Sequence, residues 1–192
     1  MLKRFTISGR MCILFEIEKA MSNIVLIGFM GTGKTTVGQQ ISKELRMPMV
    51  DTDTMVEVDN QMIIGEIFDW YGEGCFRNLE TAAVRKVSKF KSHVISTGGG
   101  VVLRFENLNL LQENGLLFCL RATPEEIFQR VKDESRRPLL KDPDPPNKIR
   151  QLLQARQAHY QRIEHQIETT NLSIEEVTNQ IIGIYQSARS SP

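Results

Sequence analysis

The sequence predicts an α/β fold with a parallel five-stranded sheet flanked by helices, and two features of the chain lead to it. Short apolar runs rich in β-branched residues alternate with longer amphipathic segments whose apolar residues recur at helical spacing. A glycine-rich stretch, residues 28–35, joins the first such run to the first amphipathic segment. Alternating strands and helices favour a parallel sheet, and ligands of such sheets bind at the carboxyl ends of the strands.

The elements follow one another in that alternation. The first strand is the β-branched run at 23–28, and the helix after it carries Val37, Ile41 and Leu45 at four-residue intervals. Further apolar runs predict strands at 48–52, 93–97, 116–120 and 166–170. Amphipathic segments predict helices at 34–46, 62–71, 74–89, 104–113, 124–133, 147–164 and 173–187.

Composition limits the classes of partner. The 192 residues suit one domain, with 41% apolar residues, 24% charged residues and a formal net charge of +1. No basic field attracts nucleic acid, and no apolar run approaches the ~20 residues that span a bilayer. Cys12, Cys75 and Cys119 have no paired or metal-ligand spacing. We therefore expect a cytoplasmic monomer with free thiols that acts on small molecules.

The motifs leave both ends of the chain outside the predicted domain. Residues 1–20 carry no motif and no signal-peptide pattern, so we expect them to be a dispensable extension, with an extra strand-pairing segment as the alternative. Met21 directly precedes the first strand and is a plausible translation start. The domain would then cover residues 21–187, with a short tail at 188–192.

Residues 28–35 match the phosphate-binding pattern G-x-x-x-x-G-K-[ST] in full. Strand, glycine loop and helix are the context that the pattern requires. In such a loop, backbone amides and the positive end of the helix hold phosphates, a lysine reaches the β- and γ-phosphates, and a hydroxyl holds Mg²⁺. The sequence therefore predicts a nucleoside triphosphate site, and its residues are Gly31, Thr32, Gly33, Lys34, Thr35 and Thr36.

Two carboxylates, those of Asp51 and Asp53, end the second predicted strand. Residues two apart on a strand share a face, so both side chains would project together beside the phosphate loop. Phosphoryl transfer needs a metal tether and a group that orients the acceptor hydroxyl or takes its proton. We expect Asp51 to hold the metal through a water molecule and Asp53 to serve the acceptor. The alternative is an Asx turn or a helix N-cap.

Three glycines, Gly98, Gly99 and Gly100, follow the third predicted strand. Glycines at this edge of a sheet suggest that a ligand approaches the backbone closely, although a plain tight turn would look the same.

Two arginines occupy positions that need an explanation. Arg156 fills a gap in the apolar stripe of the helix predicted at 147–164, where a guanidinium is costly to bury unless it meets an anion. Arg77 has Glu80 one turn ahead of it, which could orient it. Structural ion pairs would explain both arginines. A pair that grips a planar carboxylate would also explain them, since the guanidinium fork matches that group.

Residues 134–146 interrupt the alternation with four of the seven prolines of the chain. We expect neither helix nor central strand there. We interpret the segment, which carries Arg136 and Arg137, as a lid loop that excludes water when it closes. A domain linker is the alternative, but too little chain follows for a second domain.

Taken together, these motifs resemble those of the shikimate kinases. The phosphate loop, residues 51–53, 67–80, 97–100 and 137–140, and Arg156 with Tyr160 occur in the order and spacing of that family, over about residues 22–187. The resemblance implies the fold of the nucleoside monophosphate kinases, with a substrate-binding helical segment at about 54–82 and a lid. It also implies that the chain uses ATP with Mg²⁺ to phosphorylate the 3-hydroxyl of shikimate in aromatic amino-acid biosynthesis.

The resemblance also implies roles for single residues. Asp53 would contact the substrate hydroxyl, Arg77 and Arg156 would grip the substrate carboxylate, and the three glycines would line the substrate side with Gly99 nearest. On the ATP side, Arg130 would flank the adenine and Arg137 would close on the phosphates. Lys34, Asp53 and Arg137 are the expected catalytic residues.

Three other readings compete with this one. A kinase for another acid, such as gluconate, shares the loop and the fold but does not need the other motifs together. A GTPase is disfavoured because residues 147–150 lack the aspartate of the guanine-reading N-K-x-D pattern. A degenerate kinase that binds without catalysing would have lost Lys34, Thr35, Asp53 or Arg137, and all four are present.

Overall fold

The computed structural model describes residues 22–132 and 143–190 of the chain. Its strands are β1 (Asn23–Gly28), β2 (Met49–Asp51), β3 (Val94–Ser96), β4 (Gly115–Arg121) and β5 (His165–Glu168). All neighbouring strands are parallel, and they form one sheet in the order β2-β3-β1-β4-β5. The predicted five-stranded parallel sheet is confirmed.

Helices connect the strands. They are α1 (Lys34–Leu45), α2 (Thr52–Asn60), α3 (Ile64–Val87), α4 (Phe105–Gln112), α5 (Pro124–Val131), α6 (Pro145–Tyr160) and α7 (Ile174–Ser190), with a 3₁₀ turn at Val101–Leu103. None of the helices described is long and apolar enough to cross a membrane. α7 continues past the predicted helix end at 187.

The sheet is the middle of three layers, since alternate residues of β1 face opposite sides. Val25 and Ile27 pack with α3, α4, α5 and α6 on one side, whereas Ile24 and Leu26 pack with α1 and α7 on the other. All four side chains are fully buried, and burial of one such side chain is worth about 1.5–3 kcal/mol. This double packing fixes β1, and with it the loop that leaves its carboxyl end.

A third apolar cluster joins α2 to α3 through Val56, Ile67 and Phe76. The two helices predicted at 62–71 and 74–89 form the single element α3, which kinks at Gly72. Gly72 has a φ of 77° and a ψ of 170°, a backbone conformation that favours glycine.

Three local expectations were wrong. Residues 52–60 form α2, so Thr52 and Asp53 leave the sheet directly after β2. The helix predicted at 147–164 spans Pro145–Tyr160 instead. Pro145 and Pro146, which we assigned to the lid, occupy the first turn of that helix after the N-cap Asp144. Proline is compatible with a first helical turn because the amides there have no intrahelical acceptor.

Both cysteines in the described ranges, Cys75 and Cys119, are free, and Cys119 is buried in β4 as expected. Burial raises the pKa of the Cys119 thiol to about 12. The predicted extension at 1–20, with Cys12, lies outside the described residues, as does most of the predicted lid.

Candidate active site

The phosphate loop lies between the carboxyl end of β1 and the amino end of α1. Gly33, which precedes α1, has a left-handed φ of 91°. This turn brings the loop over the first turn of α1, where free amides and the positive end of the helix favour an anion. The loop is therefore built as the pattern requires.

Lys34 is held inside this loop. Its side chain is nearly buried, and Nζ donates hydrogen bonds to the carbonyl oxygens of Gly28 (2.8 Å) and Phe29 (2.9 Å). Thr32 Oγ1 donates to the same Phe29 oxygen at 2.7 Å. These bonds fix an ammonium group at the loop, where it can neutralise phosphate charge.

A cavity of about 730 Å³ opens beside the loop. The predicted nucleotide-site residues in its wall are Gly31, Thr32, Gly33, Lys34, Thr35, Thr36 and Arg130. The predicted metal ligand Asp51 and the predicted acceptor-side residues Asp53 and Gly99 also lie in its wall, whereas Gly98 and Gly100 do not line it. The structure thus brings both groups to one cavity.

Part of the cavity wall was missed by sequence reasoning. The loop after β5 and the start of α7 contribute Leu172, Ser173, Ile174 and Val177. Ile174 is 47% exposed, although it is large and apolar. An exposed apolar residue beside a nucleotide loop suits the face of a base. The signal in the sequence was a loose match of residues 170–174 to the adenine-side loop of the resembled family, which is too weak to assign contacts.

Arg130, on α5, crosses to this same wall. Its guanidinium donates to the Gly31 carbonyl oxygen (3.3 Å), to Thr169 Oγ1 (3.1 Å) and to the Thr169 carbonyl oxygen (2.8 Å). Glu126, one turn earlier on α5, accepts from Arg130 Nε at 2.9 Å. These bonds hold the guanidinium between the phosphate loop and the loop after β5.

Asp51 lies at the junction of β2 and α2. Its Oδ1 accepts hydrogen bonds from the amides of Asp53 (3.0 Å) and Thr54 (3.3 Å), so it is the N-cap of α2. Its Oδ2 accepts a bond from Thr35 Oγ1 at 3.2 Å. The explanation by a shared strand face was wrong, and the N-cap alternative is confirmed. The carboxylate nevertheless reaches the hydroxyl of the phosphate loop, because capping uses only one of its oxygens.

Asp53 projects from the first turn of α2 into the acceptor end of the cavity. Its Oδ1 is shielded from solvent and accepts no hydrogen bond from any residue in the described ranges. Burial, together with the nearby carboxylates of Asp51 and Glu80, raises the pKa of Asp53 to about 6. Lys34 opposes this rise. A carboxylate whose pKa lies near neutrality is suited to accept a proton.

Arg77 lies on α3 between two carboxylates. Its Nη1 donates to Glu80 Oε2 at 2.8 Å, and its Nη2 donates to Glu73 Oε1 at 3.1 Å. Burial lowers the pKa of Arg77, but Glu80 and Glu73 raise it by more. The guanidinium lies against Gly100, where an added Cβ would be 2.6 Å from Arg77 Cζ. Glu80 orients Arg77 as expected, and its own burial, at 1% exposure, was not foreseen.

Arg156 reaches the neighbouring glycine from α6. Its Nη1 donates to the Gly99 carbonyl oxygen at 3.3 Å, and its guanidinium lies 5.6 Å from the centre of the Phe29 ring. Tyr160 OH donates to the same Gly99 oxygen at 2.7 Å. Arg77 and Arg156 therefore contact adjacent glycines, Gly100 and Gly99, although neither lines the main cavity.

Gly98 completes this corner of the site. Its amide donates to Thr52 Oγ1 at 3.1 Å. A Cβ at this position would overlap Asp53 Oδ1 and lie 2.9 Å from Glu80 Oε1, so both carboxylates need the space that glycine leaves. Arg137, the remaining predicted site residue, lies outside the described residues.

Comparison with known proteins agrees with this geometry. The family model described as shikimate kinase matches residues 30–186. A shikimate kinase of Thermodesulfovibrio yellowstonii is 46% identical over 166 residues, which cover 86% of this chain and 96% of that protein. The structure of a shikimate kinase from Acinetobacter baumannii in complex with shikimate superposes with a TM-score of 0.85 at 31% identity, over 93% of this chain and 99% of that one.

A more distant structure shares the architecture alone. A gluconokinase from Sinorhizobium meliloti 1021 superposes with a TM-score of 0.58 at 11% identity, over 88% of this chain and 94% of that one. Since identity at that level shows only the fold, it does not alter what the model match and the relatives establish. The chain belongs to the shikimate kinase family.

Proposed function

We propose that this protein transfers the γ-phosphoryl group of ATP to the 3-hydroxyl of shikimate, the kinase step of aromatic amino-acid (chorismate) biosynthesis. The observation that carries the proposal is the meeting of Asp53, Arg77 and Arg156 around residues 98–100, next to the phosphate loop. A hydroxylated carboxylic acid needs a carboxylate for its hydroxyl and cationic groups for its acid group, and this corner supplies both.

The nucleotide half of the cavity would take ATP. Residues 31–36 would bind the phosphates, with the Lys34 ammonium against the β- and γ-groups, and Arg130 would lie along the adenine. Leu172 and Ile174 would cover the base from the side of α7. The phosphates would then end close to Asp53.

Thr35 and Asp51 fit a magnesium site. A hydroxyl and a carboxylate oxygen 3.2 Å apart are hard oxygen ligands of the kind Mg²⁺ prefers. Mg²⁺ commonly keeps several water molecules beside a few protein ligands and the substrate phosphates. Thr35 and Asp51 would hold the ion, which would neutralise phosphate charge.

Asp53 would act on the acceptor. In the transfer, the shikimate 3-oxygen forms a bond to the γ-phosphorus, the bond from that phosphorus to the β,γ-bridging oxygen breaks, and ADP leaves. Asp53 would orient the 3-hydroxyl and receive its proton, for which its raised pKa is suited. Lys34 would stabilise charge on the phosphates during the transfer.

The two arginines would fix the other end of the substrate. Arg77 and Arg156 at adjacent glycines can each offer N–H groups to one planar carboxylate, and this would hold the ring in one orientation. On the resemblance to the family, Arg137 would close on the phosphates from the lid. We expect a monomer in the cytoplasm with small-molecule partners only.

The experiment is a coupled assay of ADP release with Mg²⁺-ATP and a panel of acceptors. Shikimate should be phosphorylated far faster than gluconate or nucleoside monophosphates. Comparable turnover of gluconate would favour the sugar-acid kinase that shares the fold and would refute the proposal.

A further inference from the structure

Arg104, which the proposed reaction does not use, links two parts of the acceptor site. Arg104 ends the 3₁₀ turn that follows residues 98–100, which we call the glycine run. Within this turn Val101 N donates to the Gly98 oxygen (3.2 Å) and Leu103 N donates to the Gly100 oxygen (2.9 Å). Because these bonds close the backbone, the position of Arg104 is tied to that of the glycines.

The Arg104 guanidinium donates hydrogen bonds to the turn of α3 that carries Arg77. Its Nη2 donates to Asn78 Oδ1 at 2.8 Å, and its Nη1 donates to Thr81 Oγ1 at 3.1 Å. Thr81 Oγ1 in turn donates to the Arg77 carbonyl oxygen at 3.0 Å. Both acceptors thus lie on the helical turn that begins at Arg77.

Arg77 makes the reverse contact, from α3 to the glycine run. Its guanidinium lies against Gly100, where a Cβ would overlap it. Arg77 of α3 therefore contacts the glycine run, and Arg104, which follows the glycine run, contacts α3. These two contacts together fix the distance between α3 and the glycine run. Burial raises the pKa of Glu80, whereas the nearby guanidinium groups of Arg77, Arg156 and Arg104 oppose that rise and favour the anionic form. Glu80 must be anionic to orient Arg77 by charge.

We propose that Arg104 is a positioning residue for substrate carboxylate binding, which holds the Asn78–Thr81 turn of α3 so that the Arg77 guanidinium stays over Gly100. This inference rests on the proposed function, since it takes Arg77 as a carboxylate ligand. It places Arg104 outside direct contact with the substrate.

The first test separates shikimate binding from catalysis. Arg104→Met should raise KM for shikimate about tenfold, the size expected when a charged hydrogen-bonding group is lost, with kcat and KM for ATP within about twofold. Arg85→Met is the matched control, because Arg85 also ties α3 to the segment after the glycine run, through an exposed pair with Glu106 of α4. It should leave all three constants unchanged. If wild-type protein does not turn over shikimate, the proposed function fails, whereas the positioning role fails if Arg104→Met behaves like Arg85→Met.

A double-mutant cycle then tests whether Arg104 acts through Arg77. In an Arg77→Met background, Arg104→Met should weaken shikimate binding no further, as measured by calorimetry. Equal losses in both backgrounds would mean that Arg104 contacts the substrate itself, and this would overturn the inference.

Two further variants cover the case in which Arg104→Met does not fold. Arg104→Lys keeps the positive charge and a hydrogen-bond donor group but not the planar fork, so it should recover part of the shikimate affinity. The double variant Asn78→Ala with Thr81→Val removes the same two bonds from the helix side and should reproduce the rise in KM. If neither of these variants alters KM for shikimate, or if they lose stability and all substrates alike, the role of Arg104 is structural and the inference is wrong.

Discussion

The hydroxyl of Tyr160 donates a 2.7 Å hydrogen bond to the carbonyl oxygen of Gly99, which lines the acceptor end of the cavity. The bond ties the last residue of α6 to the loop after β3. Arg156 Nη1, one turn earlier on α6, donates to the same oxygen at 3.3 Å. Tyr160 therefore fixes the helix end from which Arg156 reaches Gly99.

Loss of this bond should weaken shikimate binding moderately. Burial raises the pKa of Tyr160, so its hydroxyl remains protonated and able to donate throughout the neutral range. Tyr160→Phe keeps the ring but removes the donor, and we expect it to lower the free energy of unfolding by about 1 kcal/mol. KM for shikimate should rise about fivefold, since Arg156 still holds Gly99. Denaturant unfolding and initial rates measure the two effects.

The exposed Tyr71 provides a control for that variant. Tyr71→Phe should change neither quantity. An unchanged KM in Tyr160→Phe would show that the Tyr160 bond does not set the position of Arg156.

The two arginines of the proposed clamp should act on one substrate only. Arg77→Ala or Arg156→Ala should lose about 2–5 kcal/mol of shikimate binding, the usual effect when one partner of a buried charged pair is removed. ATP affinity should stay nearly the same, because neither side chain lines the main cavity. Calorimetry with each ligand measures both. Arg150→Ala, on α6 and paired with exposed Glu125, is the control and should bind both ligands normally. If ATP binding weakens as much as shikimate binding, the clamp role is wrong.

Asp53 should be needed for turnover but unfavourable for stability. Asp53→Asn should lower kcat by about 10²–10⁴-fold, the range associated with a positioned base. The same change should stabilise the fold at neutral pH, because burial, together with the nearby carboxylates of Asp51 and Glu80, disfavours the charged form of Asp53 in the folded protein. Folding raises the pKa of Asp53 from 3.8 to about 6, so its contribution is complete below pH 3.8 and is lost as the pH rises through 6.

The stability gap between Asp53→Asn and wild type should therefore be small near pH 4 and reach up to about 3 kcal/mol above pH 6. Unfolding curves at several pH values measure it. Asp69→Asn, at an exposed position on α3, is the control. A stability gap that does not grow with pH would show that folding does not raise the pKa of Asp53.

The sequence predicted well what local patterns determine. The phosphate loop, the buried thiol of Cys119 and the inward position of Arg156 all depend on a short pattern or on one amphipathic stripe. The same is true of the orientation of Arg77 by Glu80, because residues three apart on a helix are neighbours.

Features that depend on capping or on long-range contacts were not predicted. The Asp51 side chain caps α2 and so sets its start at Thr52. In the sequence alone, the same residues are equally compatible with the end of a strand. Pro145 and Pro146 looked like helix breakers, although a first turn accepts them. The bonds from Arg104 to Asn78 and Thr81 join residues far apart in the chain, and the spacing of apolar residues along a sequence does not predict such contacts.

Arg137 should act in catalysis more than in binding, an expectation that rests on the resemblance and on the proline-rich segment that carries this residue. An arginine brought to the phosphates on closure stabilises charge that develops only in the transition state, so it should affect kcat more than binding. Such arginines are worth roughly 10³–10⁵ in rate, and Lys34 and Mg²⁺ would cover part of the loss. Arg137→Ala should therefore lower kcat by at least about a hundredfold and change the shikimate Kd less than about fivefold. Single-turnover rates and calorimetry measure these effects.

Arg136→Ala is the matched neighbour and should retain activity, since the resemblance gives Arg136 no role. Equal losses at the two positions, or a loss at Arg137 confined to binding, would exclude transition-state stabilisation by Arg137.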